Sequence, residues 1–127
     1  MLNINTDDVC RLIELAREFH AQDGLAVPGE PTDPAGGWPY QALSPRAGNR
    51  AFEEFRTIIN GMYPGQQQEV VGLLWVGRGD YAIEEWADAL AYAKQAWNEA
   101  TADYLMAQPL VAEYLTEGLG AHGHRCG

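Results

Sequence analysis

The stretch Val71-Gly-Leu-Leu-Trp-Val-Gly-Arg-Gly-Asp80-Tyr-Ala-Ile-Glu-Glu-Trp86-Ala-Asp-Ala-Leu90 decides the fold. It runs from an apolar segment, through two glycines that flank an arginine, into a second amphipathic segment. Val70, Val71, Leu73, Leu74 and Trp75 follow the polar start Gln66-Gln67-Gln68-Glu69, a pattern that suits a helix buried on most sides. Gly77 and Gly79 can take the left-handed backbone that ends a helix without a Cβ penalty. Asp80 is then the expected N-cap of the next helix, with Glu84 and Glu85 where the helix dipole favours negative charge. Gly77, Gly79 and Asp80 are therefore read as a structural corner. Arg78-Gly79-Asp80 also spells an adhesion tripeptide, but helix punctuation accounts for both glycines and the aspartate and is preferred. Arg78 carries two readings, a structural ion pair to Asp80, Glu84 or another helix and an anchor for an anionic ligand.

The same periodicity extends in both directions. Asn5 is placed to cap a first helix, with Ile4 and Val9 at hydrophobic-staple positions and Val9, Leu12, Ile13, Ala16 and Phe19 on one face. A second helix resumes near Asn49 or Arg50, with Phe52, Phe55, Ile58, Ile59 and Met62 inward, and Pro64 pre-sets the first turn of a third. Beyond the corner, Ile83, Trp86, Leu90, Ala93, Trp97, Ala100, Tyr104 and Leu105 recur without an intervening glycine or proline. That spacing predicts one helix of about 27 residues, roughly 40 Å long, unless Thr101 caps a separate short helix. Leu110, Val111, Tyr114, Leu115 and Leu119 form a last short helix, which Gly118 and Gly120 are expected to end. Residues 23–48 differ in kind: prolines and glycines break both periodicities, and Trp38-Pro39-Tyr40 is the only aromatic cluster there.

A chain of 127 residues with 46% hydrophobic content fits one domain with its own core. No run approaches the ~18 apolar residues of a membrane span, and the N-terminus lacks the order of a secretory signal. The two cysteines, Cys10 and Cys126, do not make a disulfide framework, so Cys10 is read as a packing residue and the cytoplasm as the compartment. A net charge of −10 argues against direct binding to nucleic acid or an anionic membrane. Asp80, Glu84, Glu85, Asp88, Glu99, Asp103, Glu113 and Glu117 stand against Lys94 alone from residue 80 to 117, a surface suited to solubility or to a basic partner.

Motifs for chemistry are sparse. His122, His124 and Cys126 alternate at the tail and are the right ligand types for a transition metal, but a terminus without supporting groups makes them weak candidates, and no metal is expected. The adjacent carboxylates Asp7/Asp8, Glu53/Glu54 and Glu84/Glu85 point in different directions on a helix and are not acid/base dyads. No metalloprotease, phosphate-loop or nucleophile-elbow motif occurs, no catalytic residue is assigned, and no cofactor is expected. Trp75, Trp86, Trp97 and Tyr104 at helical spacing read as core before cofactor box; an exposed part of that stripe would make a protein-binding face.

The glycine corner, the segments Thr101-Ala-Asp-Tyr-Leu-Met and Pro109-Leu-Val-Ala-Glu-Tyr-Leu-Thr-Glu-Gly-Leu119, the opening Leu2-Asn-Ile-Asn-Thr and the Val9-Cys10 pair resemble a bacterial family known as domain of unknown function 3775. The resemblance covers nearly the whole chain outside the proline-rich loop. In that loop the family often carries an acidic segment, and this chain departs from it with proline and glycine. The resemblance implies a small bacterial α-helical domain and supplies no activity.

The expected architecture is all-α: about five helices in one small bundle-like domain over residues 1–120, with an irregular loop at 23–48 and a flexible tail at 121–127. Its centre is an antiparallel pair joined at Gly77 to Asp80. The expected function is a non-catalytic protein–protein interaction module or small accessory subunit in a bacterial cytoplasm. Trp38, Tyr40, Arg78, Trp86, Trp97 and Tyr104 are the candidate contacts. The partner is another protein, with charge favouring a basic one, or a second copy of the chain. The alternatives are a nucleic-acid-mimicking inhibitor of a basic protein and a helical protein that binds a small ligand or metal; an enzyme is a weaker reading.

Overall fold

A computed structural model describes residues 2–23 and 50–126. Six α-helices follow in order: α1 (Thr6–Asp23), α2 (Arg50–Asn60), α3 (Pro64–Arg78), α4 (Trp86–Ala96), α5 (Thr101–Met106) and α6 (Val111–Ala121). The described residues contain no strand, and the architecture is all-α as the periodicity predicts. The loop expected at 23–48, with Trp38 and Tyr40, lies outside the described residues apart from Asp23, which ends α1.

α3 is the hub. Its most extensive neighbour is α6, and α4 packs beside it. Gly72 lies under the Trp86 ring and against Leu90, while Gln67 bonds to Trp97, so α3 and α4 run antiparallel. α6 is in turn covered by α1, which also packs on α2; α2 reaches α5. Val9, Leu12, Ile13, Ala16 and Phe19 are buried from α1, and Phe52, Phe55 and Ile59 from α2. Asn5 caps α1 as expected, its Oδ1 accepting the Asp7 amide at 2.8 Å, and the staple residues Ile4 and Val9 are both buried.

Gly79 keeps its expected role, and Gly77, Gly118 and Gly120 do not. Gly79 does end α3 in the left-handed region, with φ of 94°. Gly77 is helical, and it is needed for closeness: a Cβ there would stand 1.8 Å from the Tyr114 carbonyl oxygen of α6. Gly118 is the reciprocal case, since a Cβ would stand 2.2 Å from the Leu73 oxygen of α3. Gly118 and Gly120 both lie inside α6 and do not end it. α3 and α6 thus cross antiparallel with backbone against backbone, a contact that only glycine permits at positions 77 and 118.

Two further expectations are corrected. Asp80 does not cap α4: a 3-10 turn, Ile83–Glu85, intervenes, and the Glu85 carboxylate accepts the Ala82 amide at 2.8 Å. Asp80 instead pairs with Arg78. The helix predicted over about 27 residues is broken at Trp97, whose ψ of 138° is extended. Asn98 Oδ1 accepts the Ala100 amide at 2.8 Å and Thr101 Oγ1 donates to the Asn98 carbonyl, so Asn98 and Thr101 together start α5 as a separate short helix. No helix among the described residues is long and apolar enough to cross a membrane.

Candidate functional site

The aromatic and charged residues singled out from sequence do not gather on one open surface. Tyr104 is fully buried, and its hydroxyl accepts the Trp75 indole N–H at 3.0 Å. It is core, because an indole N–H taken from water needs an acceptor and Tyr104 supplies it. Arg78 donates to Asp80 at 2.7 Å and to the buried Gln108 at 2.8 Å. Burial works against the Arg78 charge, but Asp80 and Tyr104 more than compensate and hold its pKa above the ordinary arginine range. Its role is the structural one of the two, a pin between the end of α3 and the end of α5. Trp97 donates to Gln67 Oε1 at 2.9 Å, and the Gln67 amide donates to the Ile59 and Met62 carbonyls. That buried glutamine closes the exposed end of α2 onto α3 and the α4–α5 corner. Trp86 lies over Gly72 and edge-on to His122, with ring centroids 4.3 Å apart.

The tail residues are also separated. The Cys126 sulfur is bonded to Cys10, with Cα atoms 5.6 Å apart across a sequence separation of 116. This overturns the reading of Cys10 as a packing thiol and removes Cys126 from any metal set. It also fastens the described end of the tail, expected to be flexible, to α1. With a disulfide present, the cysteine argument for a cytoplasmic location no longer holds. His122 packs on Trp86, and burial lowers its pKa, with His124 adding to the effect. Among the described residues no three His, Cys, Asp or Glu side chains converge as a metal set.

What sequence reasoning missed is Tyr63. It precedes Pro64, is held extended (φ −66°, ψ 155°), and is 78% exposed. Its own amide is satisfied by Gln66 Oε1 at 2.9 Å, so the turn is fixed while the ring projects. Beside it runs a groove of about 530 Å³ between the start of α3 and the outer side of α4. Ala87, Leu90 and Ala91 give it apolar walls, and Gln68 and Lys94 stand at polar positions. Glu84, Glu85 and Asp88 are exposed at the start of the same helix. The signal was present as an aromatic immediately before a helix-starting proline, with alanines at successive turns of α4. Beneath the groove, Glu69 is buried and accepts the Asn3 and Ile4 amides at 2.8 and 3.1 Å and the Asn3 side chain at 3.0 Å. Three donors offset the burial of its carboxylate and fasten the N-terminal segment to α3.

The profile of a family described as protein of unknown function (DUF3775) matches residues 52–124, more than half of the chain. The chain belongs to the DUF3775 family. The match takes in α2 through α6, including the glycine crossing of α3 on α6 and the groove; it leaves out α1, narrower than the resemblance along the sequence. No curated protein and no solved structure matches this DUF3775 chain.

Proposed function

We propose that this DUF3775 chain is a non-catalytic interaction module, a small accessory subunit of a bacterial complex, whose partner docks over the groove beside Tyr63. The observation that carries this reading is the 78% exposure of Tyr63 next to an apolar groove. A large aromatic held extended by a fixed turn is pre-organised, so little conformational entropy is lost when it is covered. Aromatic anchors of this kind dominate interface energetics. The partner's chemistry follows from charge: the chain carries −10, and Glu84, Glu85 and Asp88 are exposed at the start of the helix whose Ala87, Leu90 and Ala91 wall the groove, with Lys94 the one exposed cation in the described lining, so a basic surface bearing an apolar side chain fits best.

The test is tag-based isolation of wild-type and Tyr63→Ser chains from the native host at low and high salt, with bound proteins identified by mass spectrometry. The expected result is a stoichiometric basic partner that is retained by wild type and lost at least tenfold from Tyr63→Ser, on the order of a hot-spot residue. Equal recovery by both chains refutes the docking surface. A partner that both chains retain at low salt and release at high salt identifies charge mimicry of nucleic acid instead.

A further inference from the structure

A second cleft, of about 580 Å³, lies where the C-terminal end of α6 and the tail meet α1. Arg17, Thr116, Glu117, His124, Arg125 and Cys126 are among its lining residues. Cys126 is exposed and its disulfide partner Cys10 half-buried. In a chain with 18 acidic and 8 basic residues, this cleft sets two guanidinium groups against one carboxylate among the described residues. Arg11, Arg56 and Arg78 are all engaged by carboxylates, whereas Arg17 and Arg125 have no ion-pair partner among the described residues. Both therefore line the cleft together with the exposed Cys126, without a described carboxylate paired to neutralise them.

We propose that this cleft is a site of thiol–disulfide exchange selective for small acidic thiols, with Cys126 as the sulfur attacked and Arg17 and Arg125 as the carboxylate-binding groups. The incoming thiolate attacks Cys126 Sγ and forms a new S–S bond. The Cys10–Cys126 bond breaks, and its electron pair leaves on Cys10 Sγ, which takes a proton from water. The product is a mixed disulfide on Cys126 whose carboxylates lie among the arginines. A second thiolate of the same class attacks the small-molecule sulfur, releases the symmetric small disulfide, and leaves Cys126 as thiolate. Two small thiols are oxidised and one protein disulfide is reduced. Attack falls on Cys126 because access and the side on which the cation pair lies both favour that sulfur. Guanidinium is the cation suited to this task, since its planar fork matches a carboxylate.

The net charge sets a sharp contrast for the test. A surface at −10 repels an acidic thiol, so without a dedicated site cationic thiols react fastest and acidic ones slowest. The oxidised full chain is mixed with reduced glutathione, 2-mercaptoethanol or cysteamine, quenched with acid, and followed by intact mass and peptide mapping. Rates are corrected for each thiol's thiolate fraction. The expected order puts glutathione about tenfold above 2-mercaptoethanol, with the adduct on Cys126. Arg17→Ala and Arg125→Ala each lower the glutathione rate several-fold more than the 2-mercaptoethanol rate and so remove most of that preference, whereas a merely structural effect would change both rates alike. The proposal is overturned by the order cysteamine, 2-mercaptoethanol, glutathione; by an adduct on Cys10; by a preference indifferent to both arginine variants; or by a non-reducing mass without the Cys10–Cys126 bond.

Discussion

Gly118 and Gly120 sit two residues apart in α6, yet substitution by alanine is expected to act in opposite directions. In a helix interior, alanine is favoured over glycine by about 1 kcal/mol. At Gly120 nothing lies within 4 Å of where an added Cβ would stand, so that gain is realised and Gly120→Ala stabilises by roughly 0.5–1 kcal/mol. At Gly118 the Cβ would fall 2.2 Å from the Leu73 oxygen and 2.8 Å from its carbonyl carbon, both backbone atoms of α3. Ordinary contact begins near 3.4 Å, so α3 and α6 must part by about 1 Å over their most intimate crossing. Overpacking of this kind costs about 1–3 kcal/mol, and more where a rigid backbone is the neighbour. Gly118→Ala is therefore expected to destabilise by about 2 kcal/mol or more after the helical gain is subtracted. Urea unfolding with a common m-value reads both changes as midpoint shifts. Gly77→Ala should resemble Gly118→Ala, and the double variant should cost less than the sum, because helices already parted for one methyl need part less for the other. A stable Gly118→Ala with the midpoint of Gly120→Ala would refute the backbone-to-backbone crossing.

Other outcomes follow from the same geometry. Reduction of Cys10–Cys126, or Cys126→Ser, releases a loop closed over a separation of 116 residues and should lower stability by up to about 5 kcal/mol, read as the urea midpoint with and without reductant; an unchanged midpoint contradicts it. Glu69→Ala leaves the Asn3 and Ile4 donors without their acceptor and should cost about 1–3 kcal/mol, with faster amide exchange at Ile4; exchange at the wild-type rate counts against the clasp. For His122, burial lowers the folded pKa below the unfolded value, so the unfolded chain binds the proton more readily. Its contribution is present above the ordinary histidine range and is lost as pH falls through it. The gap in stability between wild type and His122→Gln should therefore narrow from pH 7.5 to pH 5, and a gap that widens reverses the assignment.

Helical periodicity makes most of the core legible, because buried faces of α1, α2 and α6 repeat every three or four residues and nothing local opposes them. The break at Trp97 is not legible from that pattern. Ala96, Trp97 and Ala100 keep a helical apolar rhythm through the turn, and only Asn98, bonding Ala100 two residues on, signals the change. The glycines mislead for a related reason: sequence shows that a residue lacks a Cβ, and only packing shows whether φ or proximity requires it. Gly79 answers to the first and Gly77 to the second. Of the aromatic stripe, Trp75 and Tyr104 are core, while Trp86 and Trp97 pack against the core half-buried. The stripe's use as a contact surface does not follow, since Tyr104 and Trp97 spend their polar atoms on Trp75 and Gln67. The disulfide is illegible because two cysteines 116 residues apart reveal nothing until α6 is laid antiparallel on α1. Tyr63 escapes notice because an exposed aromatic leaves no trace in a periodicity that reports burial.

The docking surface is tested most directly by hydroxyl-radical footprinting of the chain alone and bound to its captured partner. Tyr63 is both reactive and 78% exposed, and Leu110, 45% exposed, serves as an internal reference on another part of the surface. Docking over the groove predicts that the partner suppresses oxidation of Tyr63 several-fold while Leu110 keeps its rate. Undiminished oxidation of Tyr63 in the complex contradicts it.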